Sequence, residues 1–171
     1  VELLRSLFRG REDVFALRWE NRRTGRSGYS PVCSNEWIDG ICAKKMRGGN
    51  KSRATCGCCN HQSFKPLGDD DIVRHLKGEH VIGVYPLLAD ETCRFLAVDF
   101  DKHSWKDDVE AFVETCVAHD ILPSIERSRS GNGAHAWFFF RKQVSAALAR
   151  KMGCYLITQT MARRHQLSMD S

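Results

Sequence analysis

Five of the eight cysteines fall between Cys33 and Cys59, inside a stretch (residues 31–65) with little helical or strand periodicity. Such a segment buries too little apolar surface to offset its own ordering entropy, so something other than a core must fold it. A secreted disulfide scaffold would be shorter and more evenly stapled, and Val1-Glu2-Leu3-Leu4-Arg5 lacks the layout of a signal peptide. Clustered thiols then point to a metal in a reducing cytosol, hence a cytoplasmic protein. The spacing Cys33-x8-Cys42-x13-Cys56-x2-Cys59 offers two thiolate pairs for tetrahedral Zn²⁺. Four protein ligands leave no open position for water, so the role expected is structural. Cys58 and His61 compete as ligands. The basic side chains of Lys44, Lys45, Arg47, Lys51 and Arg53 either track a phosphate backbone or form a solvated loop. The remaining cysteines (Cys93, Cys116, Cys154) sit in apolar segments and read as small core hydrophobes.

The other segments carry ordinary periodicities. Leu3, Leu4, Leu7 and Phe8 make a short helical stripe stopped by Gly10, residues 13–19 are rich in strand formers, and residues 23–28 read as a turn-like basic loop. Asp69-Asp70-Asp71 opens a helix that Gly78 closes. Residues 81–88 and 93–100 read as strands, residues 105–119 as a helix capped by Ser104, and residues 124–127 and 134–140 as strands. A long helix over 144–163 turns Val144, Ala147, Leu148, Met152, Tyr155, Leu156, Thr160 and Met161 towards the core. This order predicts an α+β layer with helices over one sheet. The expected division is 1–30 for an N-terminal part of the core, 31–65 for a zinc-binding insert and 66–171 for a catalytic core. No apolar run approaches the roughly 20 residues needed to span a bilayer. Lys and Arg number 26 against 21 acids, a net charge of +5, which permits a polyanion partner without requiring one. The start at Val1, without an initiator Met, reads as a piece of a longer protein.

Two further constellations carry chemistry. In Leu96-Ala97-Val98-Asp99-Phe100-Asp101, strand alternation puts Asp99 and Asp101 on one face. Two adjacent anions repel unless a cation sits between them, and hard oxygen ligands suit Mg²⁺ or Mn²⁺. The plainer alternative is a strand end running into an acidic turn. In Glu126-Arg127-Ser128-Arg129-Ser130-Gly131-Asn132-Gly133-Ala134-His135, small residues free backbone N–H groups to face an anion, and arginines and hydroxyls add donors. His135 opens the next strand within reach of a triphosphate. The alternative here is a hairpin turn with a surface histidine.

In this order and spacing the chain resembles the archaeo-eukaryotic primase superfamily, and more closely the primase domain of TOTE conflict systems. The stretches that carry the likeness are Leu7–Val14, Asn35-Glu36-Trp37 with Gly40-Ile41-Cys42, His75–Gly78, Ile82–Leu88, Phe95–Asp101, Glu126–His135, Thr160-Met161 and Arg163–Leu167. The resemblance implies a primase-like sheet with packed helices and a small zinc-binding insert. It implies a template-dependent nucleotidyltransferase that joins NTPs or dNTPs to an oligonucleotide by two-metal catalysis. Asp99 and Asp101 then take the place of the metal-binding acidic motif. Ser130 and His135 take the place of the motif that holds the incoming triphosphate, with Arg127, Arg129, Gly131, Asn132 and Gly133 in the same loop. The third carboxylate is either Asp170 or a residue beyond Ser171. The implied partners are a DNA or RNA template-primer, the nucleotide, and helicase or nuclease modules outside this chain. Two rival readings are a non-catalytic zinc-stabilised nucleic-acid-binding module and a divalent-metal nuclease. The first leaves the acid pair without a purpose, and the second has little need of a triphosphate loop.

Overall fold

A computed structural model describes residues 1–42, 44, 59–101 and 103–169, the side chains only as far as residue 164. The chain divides into two compact units, Val1–Tyr85 and Pro86–Ser171.

In the first unit, α1 (Glu2–Leu7) precedes the antiparallel hairpin of β1 (Ala16–Asn21) and β2 (Arg26–Pro31). After α2 (Asp69–Leu76), β3 (Ile82–Gly83) returns to pair with the start of β1, giving the order β2-β1-β3. The division differs from the expected boundary near residue 66, because α2 and β3 belong to this unit. The β1–β3 ladder ties them there, and the Arg5 guanidinium bonds both Asp69 and the Leu67 carbonyl. Two local expectations also change. The end of the basic stretch read as a turn (Arg26-Ser27-Gly28) forms the first half of β2, because pairing with β1 overrides its weak strand propensity. Only two residues of the 81–88 run form a strand. The acidic opening of α2 behaves as expected: the Asp71 carboxylate accepts the Gly68 N–H at 3.1 Å.

In the second unit, β4 (Thr92–Phe100), β5 (Ser124–Arg127) and β6 (Ala134–Ser145) form an antiparallel sheet in the order β4-β6-β5. Helices α3 (Trp105–Val117) and α4 (Ala146–Met169) cover one face. Alternate residues of the strands (Leu96, Val98 and Phe100; Ala136, Phe138 and Phe140) pack there against Phe112, Cys116, Met152 and Leu156. Arg164 of α4 pairs with Asp108 of α3. The stripe on α4 is rotated from the expected one. Ala149, Leu156 and Thr160 are buried, whereas Leu148, Tyr155 and Met161 face outward. Gly153 explains the offset, since a Cβ there would lie 3.0 Å from Leu96 Cδ2, so the helix approaches β4 through its small residues. Cys93 and Cys116 are buried as expected, but Cys154 is exposed. Among the described residues, no helix is long and apolar enough to cross a membrane.

Burial pushes the Cys116 thiol up to about 11. Near pH 9, its ordinary value, it stays protonated in the fold. Iodoacetamide should therefore label exposed Cys154 well before Cys116, with mass spectrometry as the readout. A raised thiol pKa supports the fold below the unfolded value and withdraws that support as pH rises from about 9 to about 11. The urea midpoint should fall across that window, and equal labelling of both thiols would contradict the burial.

Candidate active site

The sheet face away from α3 and α4 carries the polar residues. Asp99 near the end of β4, His135 near the start of β6 and Glu126 on β5 are register partners in one row across the three strands. Facing pairs in an antiparallel ladder bring side chains into contact. His135 Nε2 lies 3.5 Å from Asp99 Oδ1, and His135 Nδ1 lies 3.4 Å from Glu126 Oε2. Trp137, two residues along β6, donates its Nε1–H to the same Glu126 oxygen at 2.8 Å. Its ring packs edge-on to His135 at 5.6 Å and stacks on Phe139 at 6.3 Å. The imidazole is thus held between two carboxylates on an aromatic floor. Asp99 remains open to solvent, its side chain 65% exposed.

Asp101 follows β4 directly and meets the 128–133 loop instead. A Cβ on Gly133 would fall 2.4 Å from the Phe100 carbonyl oxygen and 3.4 Å from Asp101 Cα, so this loop lies directly on the backbone of the acid pair. Asp101, Arg127, Gly131 and Asn132 line a cavity of about 660 Å³ together with Trp105 and Lys106 at the start of α3. Asp99 and His135 are not part of that cavity's wall. The loop ties itself together. The Arg127 guanidinium donates twice to the Gly131 carbonyl (3.1 and 2.9 Å), the Gly131 N–H bonds Ser128 O, and Ser130 Oγ accepts the Asn132 N–H. Gly131 takes φ +76°, a conformation its lack of a Cβ permits. Arg127 and three amides expected to face an anion (Ser128, Gly131 and Asn132) are therefore engaged within the loop. Arg129 lies on the same loop, one residue before Ser130.

Trp137, which helps hold the His135 ring, and Trp105 and Lys106 in the cavity wall do not stand out in the sequence as site residues, and Glu126 does so only as the start of the loop segment. A signal for Glu126 existed: once Arg127 and Ala134 close the hairpin, Glu126 must face His135.

In the first unit, Cys33, Cys42, Cys59 and His61 line a single cavity of about 30 Å³. The bridge of Cys33 to Phe64 and the Asn35 Nδ2–H bond to the His61 carbonyl draw the two ends of the segment together. The Ser63 N–H points at Cys33 Sγ (3.5 Å) and the His61 N–H at Cys59 Sγ (3.4 Å), donors that suit thiolate ligands. Cys56 and Cys58, along with Lys45, Arg47, Lys51, Arg53 and Asp170, lie outside the described residues. Among the described residues, no three His, Cys, Asp or Glu side chains are arranged to hold a metal ion.

A family model described as the TOTE conflict system, Archaeo-Eukaryotic Primase domain, matches residues 1–171. No curated protein matches the chain.

Proposed function

The chain belongs to the archaeo-eukaryotic primase domain family of TOTE conflict systems, and from that premise we propose that it is a template-dependent nucleotidyltransferase. It would add nucleotides from NTPs or dNTPs to an oligonucleotide. The observation that carries the reading is the facing pair of Asp99 and His135, with the 128–133 loop seated on the backbone next to Asp101.

The donor set fits a hard divalent cation, because Asp99 is an exposed carboxylate with lone pairs available to a metal and Asp101 opens onto a polar cavity. Asp99 and Asp101 would hold Mg²⁺ or Mn²⁺, with Asp170 or a residue beyond it as the third carboxylate. Bound there, such ions lower the pKa of an attacking 3′-hydroxyl and neutralise charge on the departing pyrophosphate. The chain's own part is positioning. Glu126 and Trp137 fix the His135 ring through Nδ1 and the aromatic floor, leaving Nε2 turned towards Asp99. Arg129, Ser130 and Asn132 supply donors for the β- and γ-phosphates, while Arg127 holds the loop closed. Lys106 and Trp105 offer a charge and a ring face within the same cavity. No protein nucleophile is needed, since phosphoryl chemistry of this kind rests on alignment and charge.

A primer-extension gel on the protein with its natural flanking residues tests this directly. Metal-dependent lengthening of a labelled primer is expected. Shortening would favour the nuclease reading, and no change in length the non-catalytic one.

The same proposal gives the cysteine segment a structural Zn²⁺ on Cys33, Cys42, Cys56 and Cys59, with Cys58 and His61 as alternates, although the described thiols are not by themselves arranged around a metal ion. The shared cavity and the N–H donors to sulfur support it. About one zinc per chain is expected by elemental analysis, and Cys33→Ser should lose it. Metal-free protein with an unchanged melting curve would rule the zinc out.

A further inference from the structure

The β1–β2 hairpin carries an arrangement that the catalytic reading does not use. A cleft of about 790 Å³ runs along it, lined by Arg18, Trp19, Arg22, Trp37 and Lys44 among others. Trp19 is 45% exposed and Trp37 59% exposed. Both rings keep much of their surface open to solvent. Trp37 holds φ +65°, a left-handed conformation that is costly for a bulky side chain and is kept where the surroundings impose it. The Lys44 ammonium sits 5.5 Å from the Trp37 ring centroid and is anchored by Glu36 at 2.8 Å. Trp19 faces Gly28 across the hairpin. A Cβ on Gly28 would meet three indole atoms at 3.0 to 3.4 Å, so the indole is packed closely against the opposite strand.

The hairpin tip adds unbalanced charge. Arg5, Arg9, Arg11, Arg18 and Arg74 each pair with a carboxylate. Arg22, Arg23 and Arg26 are exposed, and no side-chain ion pair or hydrogen bond engages them among the described residues. Asn21 Oδ1 accepts the N–H groups of Arg23 and Thr24, and Gly25 takes φ +67°, so the turn that presents the three guanidiniums is itself well defined.

We propose that this cleft binds single-stranded nucleic acid, with bases stacked on Trp19 and Trp37 and backbone phosphates paired to Arg22, Arg23 and Arg26. Accessible indole faces beside unpaired guanidiniums match the two contacts an unpaired strand offers, whereas a duplex hides its base faces. The inference rests on the nucleotidyltransferase reading only in naming the strand as the template, because the cleft lies within the first unit.

The test is fluorescence anisotropy of a short labelled oligothymidylate with the whole chain, without nucleotide. Loss of one stacking platform in Trp37→Ala should weaken binding about 5- to 150-fold. A triple substitution (Arg22→Ser, Arg23→Ser, Arg26→Ser) on the exposed tip should lower the slope of log affinity against log salt by about 2. This second variant keeps the test valid if Trp37→Ala fails to fold. Unchanged affinity and salt slope in the triple variant, or equal binding of a duplex of the same sequence, would overturn the proposal. Mn²⁺-dependent nucleotide binding, measured on the same samples, reports separately on the catalytic reading. Loss of oligonucleotide binding with nucleotide binding intact is the expected outcome for the triple variant.

Discussion

Asp99→Asn should reduce nucleotide incorporation by about 10³-fold or more while leaving the melting temperature within about 2 °C of the wild type. The activity loss follows from removing a charged oxygen donor from the proposed metal site, worth several kcal/mol of transition-state stabilisation, and about 4 kcal/mol corresponds to that factor. The small stability effect follows from the surroundings. The Asp99 side chain is 65% exposed and meets the His135 ring at 3.5 Å. Surface substitutions of this kind usually stay within about 0.5 kcal/mol. Asparagine keeps the shape and loses the charge, so the variant separates metal chemistry from packing. Extension kinetics and thermal unfolding on one preparation check both halves. Normal incorporation would remove Asp99 from the catalytic role.

Gly133→Ala should be the most damaging single-methyl change in the second unit. Its Cβ would fall 2.4 Å from the Phe100 carbonyl oxygen, well inside any tolerated contact. The obstacle is backbone, and Phe100 is fixed by its ladder with Ala134, so neither side can yield without opening the β4–β6 pairing. Overpacking of this type costs about 1 to 3 kcal/mol. The same shift would lift the 128–133 loop from Asp101, and nucleotide affinity should drop by at least about tenfold, the equivalent of 1.4 kcal/mol. Gly131→Ala is the comparison. Its strain comes from φ +76°, and its nearest neighbour is the movable Arg127 side chain, so a milder loss of about 1 kcal/mol is expected. Denaturant midpoints and nucleotide titrations for the pair decide the matter. A Gly133→Ala protein as stable as Gly131→Ala would mean that the loop is not seated as described.

The sequence was most legible where one segment's pattern decided its partner. Residues 93–100, 124–127 and 134–140 alternate clearly, and each forms a strand, while Val109, Phe112 and Cys116 mark the buried face of α3. Legibility failed where distant pairing decided the outcome. Arg26-Ser27-Gly28 has the composition of a turn, yet it becomes a strand because β1 lies beside it and Trp19 covers Gly28. The buried stripe of α4 departs from the hydrophobic pattern of Leu148 and Tyr155 because close approach to β4 needs the small residues Ala149 and Gly153. The boundary at Tyr85 depends on β3 returning to β1, which no local signal announces. At the site, Asp99, Asp101 and His135 stood out as residue types in a recognisable pattern. Trp137 and the hold of Glu126 on the His135 ring did not, because they depend on strand register rather than on composition.

The central claim is that Asp99, His135 and the 128–133 loop together receive a metal-bound triphosphate. Calorimetric titration of an NTP into the protein, with and without Mn²⁺, tests it most directly, using His135→Ala in parallel. Binding should require Mn²⁺ and weaken at least about tenfold in His135→Ala. Binding that is indifferent both to the metal and to His135 would contradict it.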